Sequence, residues 1–573
     1  MKYIQLCEVY ENLQNNSSRL KKTEILAEFL EKLKEEKNKQ VVYLLQGKVF
    51  PDNSEKEFGI SEQLCIKALA KSSGISKEKL VDDWKKMGDL GEVAQKTIDK
   101  KKQNTLFTKT LTTQKVIDNL KRLPELEGRG TVDKKLALIS ELLTSAKGLE
   151  AKYIIRTLLN NLRIGVASGT LRDAIVQAAF KPKTIKEKKE LMEIVQDSYD
   201  KATDLALVLE KAYKGIPALK NTKLIPGKAI KAMLAQKAVS VEDGLNKVGR
   251  PAIFEYKYDG FRMMINKSES GEIKIFTRHL DDVTLQFPDV VEYIKDHIKL
   301  KSFIIDSEAI GYDPKTKKYT PFEAISQRIK RKHNIHELIK KLPIEVNVFD
   351  LIYYNGKSLL DEPFEKRTKI LREMIKPQKY KIRLAHQLIT SDRKKAEKFY
   401  KEALKDNQEG VMIKNLGARY QPGLRVGHML KLKPAENELD LVITGAEYGK
   451  GKRVGNFASF ILSCFNEKTN QFVEIGKSSG LKEKSETGPT FEQLTKLLKP
   501  YVLKEKGRIA QIKPKIVVTI LYQNIQRSPT YKSGYGLRFP RIIAIRPDRK
   551  PKSIANLKEI DHDYKRHELK IHY

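Results

Sequence analysis

The first 220 positions carry apolar residues at three- and four-residue spacings, which is the period of an amphipathic helix. The segment TEILAEFLEKL places five of them on one helical stripe: Ile25, Leu26, Phe29, Leu30 and Leu33. The same period recurs in KKLALISELLTSAK, EAKYIIRTLLNNL and TDLALVLEKAYKG, between stretches punctuated by Gly and Pro such as LPELEGRG. The pattern predicts an all-α domain over residues 1–223.

After residue 223 the pattern changes from helices to strands. A connecting segment, LIPGKAIKAMLAQ at 224–236, precedes strand-like runs that include IFEYKY, SFIIDSEAIGY, IEVNVFDLIYYNG and EGVMIKN, with helices such as FEKRTKILREMI between them. This mixture predicts an α+β domain over 224–433. From 434 to 573, several short strands and one helix, GPTFEQLTKLLKP, predict a small β-barrel.

The length and charge of the chain limit the number of domains and the kinds of partner that it can have. With 573 residues it is too long for a single hydrophobic core, which agrees with three domains. Its 110 Lys and Arg exceed its 73 Asp and Glu, giving a formal net charge of +37, and this excess favours a nucleic acid bound through its phosphates. A membrane surface is the competing partner, but no basic helix with an exposed apolar face stands out. The loop NLRIGVASGTLRDAI, with Arg163, Gly165 and Gly169, is either an ordinary helical hairpin or a place where phosphate approaches backbone amides.

Cysteine and apolar content exclude two classes of protein. The three cysteines, Cys7, Cys65 and Cys464, are far apart and provide neither a disulfide framework nor a four-cysteine zinc site. No apolar run approaches the roughly 20 residues that a membrane span needs, and the N-terminal MKYIQLCEVYENLQ lacks the apolar segment of a signal peptide. We therefore expect a soluble, cytoplasmic protein without membrane contact.

The stretch PAIFEYKYDGFRMMINK, at 251–267, brackets one lysine with two acidic residues. In an extended strand, residues two apart point to the same face, so Glu255, Lys257 and Asp259 are expected to share one side. Gly260 permits a turn or the close approach of a ligand. These residues alone leave open a solvated strand edge and a nucleophilic lysine, because K-x-D-G is a weak signal in a lysine-rich chain.

Further charged and aromatic residues occur within the apolar strands of the middle domain. They are Asp306 and Glu308 in FIIDSEAIGYD, Phe349 in VNVFDLIYYNG, Glu409 in EGVMIK, and Lys431 and Lys433 in LKLK. Each alone has an ordinary structural explanation, as a solvent-facing strand position, a surface ion pair or a core aromatic. Together, and in this order along the chain, they indicate a functional site.

The ordered set resembles the motifs of the covalent nucleotidyltransferases, and most closely those of the ATP-dependent DNA ligases of archaeal and eukaryotic replicative type. The matching motifs are EYKYDGFR, TRHLDDVT, DSEAIGYD, FDLIYYNG, EGVMIK and MLKLK, followed in the barrel by AEYGKGKRVGNFASF and LRFPRIIAIRPDRK. The helical LRIGVASGTLRDAI and the connecting PGKAIKAMLAQ also resemble these enzymes, so the likeness covers essentially the whole chain. Three positions depart from the family pattern: Ala229 and Ala232 replace usual prolines, and Met429 replaces a usual tryptophan.

The resemblance implies an all-α DNA-binding domain, an α+β nucleotidyltransferase (adenylation) domain and an OB-fold β-barrel. It also implies that Lys257 attacks the α-phosphorus of ATP, forms a lysine–AMP bond and releases pyrophosphate, while Asp259 orients the lysine. Glu255 is expected to accept a hydrogen bond from the adenine amino group, and Phe349 is expected to stack on the adenine ring.

Phosphate and metal contacts are implied by the same resemblance. The nucleotide-contacting residues are expected to be Glu255, Arg262, Arg278, Glu308, Phe349, Arg425, Lys431 and Lys433. Glu308 and Glu409 are the expected ligands of Mg²⁺, because carboxylates with few other ligands suit an ion that keeps waters and substrate phosphates. The barrel residues expected to assist only the first step, which requires a large domain rotation, are Arg538, Arg541 and Lys550.

The predicted function is the sealing of nicks in double-stranded DNA, with ATP and Mg²⁺, in replication, repair and recombination. AMP would pass from Lys257 to the 5′-phosphate at the nick, and the adjacent 3′-hydroxyl would then attack and free AMP. Nicked duplex DNA is the expected partner, a sliding clamp is a second candidate without a recognisable binding motif, and we expect a monomer.

Three alternatives compete with this prediction. An RNA ligase or an mRNA guanylyltransferase also carries K-x-D-G and a barrel, but guanylyltransferases generally lack a long helical domain. An NAD-dependent ligase is disfavoured by the missing four-cysteine zinc module. An architectural DNA-binding protein would not need Glu255, Glu308 and Glu409 on strands beside the lysine.

Overall fold

The computed structural model describes residues 1–569 except for 37–38, 53, 55, 101–109, 127, 129, 321, 331–333, 424, 435–436, 450–452 and 482–487. The chain divides into two compact units. The first unit comprises residues 1–73 and 98–433, and the second comprises residues 74–97 and 434–573. Among the described residues, we find no helix with the length and apolar content of a membrane span.

Helices dominate the first 223 residues, which confirms the predicted helical N-terminal region. In chain order they are α1 (Tyr3–Asn15), α2 (Arg19–Lys32), α3 (Val41–Leu44), α4 (Glu62–Ser73), α5 (Lys77–Met87), α6 (Leu90–Asp99), α7 (Thr113–Arg122), a 3₁₀ turn (Leu123–Glu125), α8 (Thr131–Ser145), α9 (Gly148–Leu158), α10 (Ser168–Phe180), α11 (Ile185–Ala202), α12 (Leu205–Tyr213) and α13 (Ile216–Lys220). Helix α10 packs against α2, and α4 packs against α8. Side chains of Ser18 and Thr184 accept hydrogen bonds from first-turn amides and fix the starts of α2 and α11.

The loop between α9 and α10 contains the motif LRIGVASG. Arg163 and Gly165 adopt left-handed backbone angles, with φ of 59° and 62°. The ammonium of Lys22, on α2, donates to the carbonyls of Ile164 and Gly165 at 2.6 and 3.1 Å. The positive φ of Gly165 favours glycine, and a Cβ there would displace the ammonium of Lys22. Lys22 therefore holds this loop through two hydrogen bonds. The contact of the loop with phosphate remains a prediction.

The segment 224–236, predicted to be a linker, is packed into the first unit. Ala229, Ala232 and Met233 are buried in one apolar cluster, so the two alanines that replace family prolines act as small core residues. The hydroxyl of Thr203 donates to the carbonyl of Ala229 at 2.8 Å. The ammonium of Lys231 donates to the hydroxyl of Tyr199 at 2.8 Å and lies 4.1 Å from the centre of its ring.

Asp200 is buried near Lys231 of this segment, and its carboxyl makes the stability of the protein depend on pH. Burial raises the pKa of its carboxyl to about 7, against the opposing effects of a hydrogen bond from Gln196 and of the charge on Lys231. In the unfolded chain this carboxyl titrates near its ordinary pKa of about 3.9. The folded state therefore binds the extra proton between these two values, so the contribution is fully present below about pH 4 and is lost as pH rises through about 7.

Asp200→Asn is therefore expected to raise the free energy of unfolding at about pH 8 and to flatten its pH dependence between about pH 4 and 7. Chemical denaturation of the wild type and the variant across this range measures both effects. Parallel pH profiles for the two proteins would contradict the assignment.

Residues 234–432 form two sheets in the described part of the chain. In order, the elements are β1 (Leu234–Lys237), α14 (Val241–Val248), β2 (Ala252–Lys257), β3 (Phe261–Lys267), β4 (Ile273–Phe276), a 3₁₀ turn (Thr284–Gln286), α15 (Pro288–His297), β5 (Phe303–Tyr312), β6 (Tyr319–Thr320), α16 (Phe322–Lys330), α17 (Ile335–Lys341), β7 (Ile344–Tyr354), β8 (Lys357–Ser358), α18 (Phe364–Met374), β9 (Ile382–Leu384), β10 (Gln387–Thr390), α19 (Arg393–Lys405), β11 (Gly410–Asn415) and β12 (Arg425–Leu432). The first sheet has the order β1-β12-β11-β2-β10. The second has the order β4-β3-β5-β7-β8, with β6 paired to β5 and β9 to β7.

Strand alternation separates the core of the first sheet from its polar face. Phe254 and Tyr256 of β2 face the apolar core that the sheet forms with α14 and α19. Because neighbouring residues of a strand point to opposite faces, Glu255 and Lys257 lie on the other face. Because β2 ends at Lys257, Asp259 lies in the following turn rather than on the strand. An apolar cluster joins the two sheets through residues that include Met233, Met264, Ile304, Tyr420 and Met429. Met429, which replaces the usual tryptophan, thus packs between the sheets.

The second unit is rich in strands, as predicted for the C-terminal region. Besides residues 74–97, it contains β13 (Asn437–Tyr448), β14 (Phe457–Asn466), β15 (Gln471–Ser478), α20 (Phe491–Leu498), a 3₁₀ turn (Lys499–Tyr501), β16 (Val502–Lys506), β17 (Ile509–Ile512), β18 (Val517–Tyr522), β19 (Ile525–Arg527), β20 (Tyr535–Leu537), β21 (Arg541–Ile545) and α21 (Leu557–Leu569). Strand β13 pairs with β14 on one edge, while its two halves pair with β18 and β17 on the other. The motif AEYGKGKRVGNFASF spans the turn from β13 to β14, and its residues 450–452 lie outside the described residues.

Candidate active site

Lys257 is the last residue of β2 and lies opposite Gly410 of β11 in the strand register. Its ammonium forms an ion pair with the carboxylate of Glu409, which also pairs with the ammonium of Lys433 at 2.6 Å. Burial alone would raise the pKa of Glu409, but Lys257 and Lys433 outweigh it and lower the pKa to about 2. The ionised Glu409 therefore holds both ammonium groups in place.

Other cations surround this pair. Burial lowers the pKa of Lys431, and the charges of Lys257, Lys433, Arg425 and Arg278 lower it further. Arg278 and Arg425 are exposed, while the lysines are partly buried. Because like charges at close range repel, binding of a polyanion would reduce the repulsion among these Lys and Arg side chains. Phosphate groups suit it through charge and through the donors of Lys and Arg.

A second carboxylate, Glu308 on β5, lies near the first. Burial raises the pKa of Glu308 to about 7, against the opposing charges of Lys257 and Arg262, and Glu409 adds repulsion. Within the described residues, no group of three or more His, Cys, Asp or Glu side chains is placed to hold a metal ion. Two carboxylates whose remaining ligands would be water and substrate phosphate fit Mg²⁺ better than an ion that needs a full protein shell.

The wall beside Lys257 combines an aromatic ring with a buried carboxylate. Glu255 is 2% exposed and forms an ion pair with Lys414. The ammonium of Lys414 lies 4.8 Å from the centre of the Phe349 ring. Gln387 donates a further hydrogen bond to Glu255. A planar base lying on Phe349 would thus have a charged acceptor at its edge.

Arg262 is engaged in a network of its own. Its guanidinium donates to Asp306 through Nε at 2.9 Å and Nη2 at 2.5 Å, and to the carbonyl of Met233 at 2.9 Å. The hydroxyl of Tyr420 donates to Asp306 at 2.8 Å and accepts from the amide of Met233 at 3.1 Å. The carbon of the guanidinium lies 5.5 Å from the centre of the Phe349 ring. Arg262 thus links the segment around Met233 to Asp306 on β5.

Comparison with known proteins identifies the family. Residues 2–176 match the family described as "DNA ligase N terminus", residues 232–433 match "ATP dependent DNA ligase domain", and residues 453–549 match "ATP dependent DNA ligase C terminal region". The DNA ligase of Nanoarchaeum equitans is 42% identical over 577 aligned residues, covering 100% of both chains. The chain belongs to the ATP-dependent DNA ligase family. The predicted family and enzyme class are therefore confirmed, and the alternatives of an RNA ligase, a guanylyltransferase, an NAD-dependent ligase and an architectural protein are set aside.

Other relatives agree with this assignment. The DNA ligase of Thermococcus fumicolans is 38% identical, with 98% of each chain covered. The solved structure "Pmar-Lig_Pre." is 16% identical, covers 94% of this chain and 98% of that chain, and has a TM-score of 0.57. At that identity the likeness supports a shared fold and nothing finer.

In this ligase the structure gathers most residues that the motifs predict for the site. Lys257, Glu409 and Lys433 are in direct contact, and charge effects link them to the remaining cations and to Glu308. The three residues predicted to assist the first step lie in the second unit: Arg538 follows β20, Arg541 begins β21 and Lys550 follows that strand. Their predicted role in the first step stays a prediction.

Two site residues escaped the sequence analysis. Lys414 lies within the motif EGVMIK, and the register pairs Met412 with Glu255, so Lys414 is a diagonal neighbour of Glu255 on the same face. Gln387 lies directly opposite Glu255 on β10. The alternation of EGVMIK gave a signal for Lys414, but only the strand register reveals Gln387.

Gly410 is expected to be essential for the position of Glu409. It has φ of 138°, and a Cβ there would lie 2.1 Å from the carbonyl oxygen of Leu432. Gly410→Ala combines a strained backbone with a clash, so we expect it to lower the free energy of unfolding by roughly 3 kcal/mol or more. Gly271 has φ of 86° and open space around it, so Gly271→Ala carries the strain alone, about 1 kcal/mol. Equal losses in chemical denaturation would contradict the clash with β12.

Proposed function

We propose that this ligase seals nicks in double-stranded DNA through a covalent bond between Lys257 and AMP. The observation that carries the proposal is the pairing of Lys257 with Glu409, which also pairs with Lys433, at a point where Lys431 lies within range of both lysine charges. A lysine nucleophile, a cationic wall for phosphates and an aromatic wall for a base are what adenylyl transfer needs in one place.

Nick sealing proceeds in three steps. The Nζ of Lys257, after losing a proton, forms a bond to the α-phosphorus of ATP while the bond to pyrophosphate breaks. The 5′-phosphate of the nick then takes AMP from the lysine. The 3′-hydroxyl attacks that activated phosphate, the strand is joined and AMP leaves.

The residues of the pocket divide this work. Glu409 holds Lys257 at the base of the pocket, and Lys431 and Lys433 neutralise charge that builds on the α-phosphate. The exposed Arg425 assists them at the α-phosphate, and the exposed Arg278 contacts the nucleotide and the 5′-phosphate of DNA. Their positions near Lys431 support these roles.

The base and the metal occupy the remaining walls. Adenine lies on Phe349 with its amino group toward Glu255, and Arg262 orders the adjacent segment and meets the nucleotide with its free donors. Glu308 and Glu409 would hold Mg²⁺, and Glu308 would alternatively bind a ribose hydroxyl. When bound, Mg²⁺ supplies positive charge to the phosphates.

We propose the division 1–223, 224–433 and 434–573, with an OB-fold in the last part, supported by the two-sided pairing of β13 and by α20 following the third strand. Arg538, Arg541 and Lys550 act in the first step. We further propose a monomeric, cytoplasmic enzyme acting in replication, repair and recombination, with a sliding clamp as an additional partner.

Binding to nicked DNA is expected to be sequence-independent and strongly weakened by salt. A protein that neutralises 6 to 10 phosphates loses roughly 10³- to 10⁵-fold in affinity between about 50 and 200 mM salt. The excess of 37 positive charges supplies enough cations for such a footprint. Fluorescence anisotropy of a labelled duplex over this salt range gives the slope, and a flat profile would contradict phosphate-dominated binding.

Sealing of a nicked duplex tests the proposed function directly. A labelled duplex with one nick bearing a 5′-phosphate is incubated with the protein, Mg²⁺ and either ATP, GTP or NAD. The proposal predicts joined product with ATP and none with NAD, and it predicts no product when the 5′-phosphate is absent. Joining that requires GTP or NAD, or no joining at all, would overturn it.

A further inference from the structure

The carboxylate of Glu255 has a fixed neighbour on each oxygen. Lys414 forms an ion pair with Oε2, and the side-chain amide of Gln387 donates to Oε1. Gln387 and Glu255 are direct partners in the register of β10 and β2. With only 2% of Glu255 exposed, these two contacts leave it little freedom to rotate.

The orientation of the Gln387 amide is set by a third residue. Arg372, exposed on α18, donates from Nη2 to the side-chain oxygen of Gln387 at 2.6 Å. A guanidinium has donors and no acceptor, so the amide must turn its oxygen toward Arg372. Its NH₂ group therefore faces Glu255, and the three side chains form a chain of donors that ends on the carboxylate.

This chain bears on the choice of base. We infer that Gln387, oriented by Arg372, is a positioning residue that makes the ligase select a 6-aminopurine triphosphate over a 6-oxopurine triphosphate. It does so by holding Glu255 as an acceptor toward the edge of the base. The inference rests on the proposed function, in which adenine lies between Phe349 and Glu255.

The selectivity follows from the chemistry of the carboxylate. An ionised carboxylate only accepts hydrogen bonds, so it pairs with a 6-amino group and repels a 6-oxo group. A carboxylate that loses its Gln387 donor is left with an unpaired buried oxygen, which costs free energy unless the group rotates or takes up a proton. Either change weakens the preference, since a protonated carboxyl can donate to a 6-oxo group.

The surrounding charges agree with this role. Burial raises the pKa of Glu255, Lys414 on β11 and Gln387 on β10 oppose that effect, and Asp350 on β7 adds to it. Lys414 remains in every variant proposed below, so the carboxylate keeps one fixed partner. The expected change is therefore one of position and selectivity rather than loss of the pocket.

The test compares ATP with inosine triphosphate, which differs in carrying a 6-oxo group, in the rate of AMP or IMP attachment to Lys257. The variants are Gln387→Leu, Arg372→Met and Arg372→Lys, with Lys369→Met as an exposed control on the same helix α18. For Gln387→Leu we expect the KM for ATP to rise about tenfold with kcat within about twofold, and the ratio of kcat/KM between the two nucleotides to fall about tenfold.

Arg372→Met should shift the ratio in the same direction by a smaller factor, Arg372→Lys should restore it, and Lys369→Met should leave it unchanged. An unaltered ratio in Gln387→Leu, with Lys257 still adenylylated, would overturn the inference while leaving the proposed function intact. If Gln387→Leu does not fold, an unaltered ratio in the surface variant Arg372→Met overturns it. Wild-type protein that attaches neither nucleotide to Lys257 refutes the proposed function and the inference together.

Discussion

Lys257→Arg is expected to reduce ATP-dependent nick sealing by roughly 10⁴-fold or more. Arginine keeps the positive charge and the ion pair with Glu409, so the pocket and DNA binding should persist. A guanidinium does not lose its proton in a protein, however, and therefore cannot attack the α-phosphorus. Single-turnover sealing of a nicked duplex, with DNA affinity measured in parallel, gives both quantities.

A surface lysine provides the matched control. Lys247 pairs with Asp243 one turn away on α14, and Lys247→Arg should seal nicks at the wild-type rate. A nick that already carries AMP on its 5′-phosphate bypasses the first two steps, so Lys257→Arg should join that substrate. Normal ATP-dependent sealing by Lys257→Arg would show that the nucleophile lies elsewhere.

The second large effect is expected on stability. The guanidinium of Arg367, with 0% of its side chain exposed, donates to Asp350 through Nε at 2.7 Å and through Nη2 at 3.0 Å. It also donates to the carbonyl of Ala418 at 3.0 Å. Asp350→Asn leaves a buried cation without its counter-charge, which should lower the free energy of unfolding by about 3–5 kcal/mol. Chemical denaturation followed by circular dichroism measures the loss.

An exposed ion pair serves as the control that distinguishes the effect of burial from the effect of ion pairing alone. Arg393 and Glu397 pair one turn apart on α19 with 60% and 39% of their side chains exposed. Glu397→Gln should therefore leave the unfolding transition unchanged within experimental error, since solvent screens such pairs. A loss equal to that of Asp350→Asn would contradict the account of the buried pair. Because Asp350 directly follows Phe349, its loss should also weaken ATP binding.

Local sequence patterns predicted much of the secondary structure and the central residues of the site. The 3.6-residue period predicts the helices of the N-terminal region, and the alternation of IFEYKY places Glu255 and Lys257 together, because both depend on neighbours within a few residues. The same alternation failed for Asp259, since β2 ends at Lys257 and the chain turns there. Alternation predicts a face only for as long as the strand continues.

Features that depend on distant parts of the chain were not predictable in this way. The contact of Gln387 with Glu255 joins residues 132 positions apart and follows from the register of β10 on β2. The burial of segment 224–236 depends on partners such as Met264 and Tyr420. Residues 74–97 group with the C-terminal unit, although they are helical and lie within the N-terminal helical region in sequence. Such pairings are set by tertiary packing, for which a single sequence gives no local signal.

The central claim, that Lys257 carries the nucleotide, is tested most directly by locating the adduct. The protein is incubated with ATP and Mg²⁺, digested, and its peptides are analysed by mass spectrometry before and after addition of nicked duplex DNA. The account predicts AMP on Lys257 alone and its removal by nicked DNA but not by intact duplex. AMP on another residue, or an adduct on Lys257 that nicked DNA does not discharge, would contradict it.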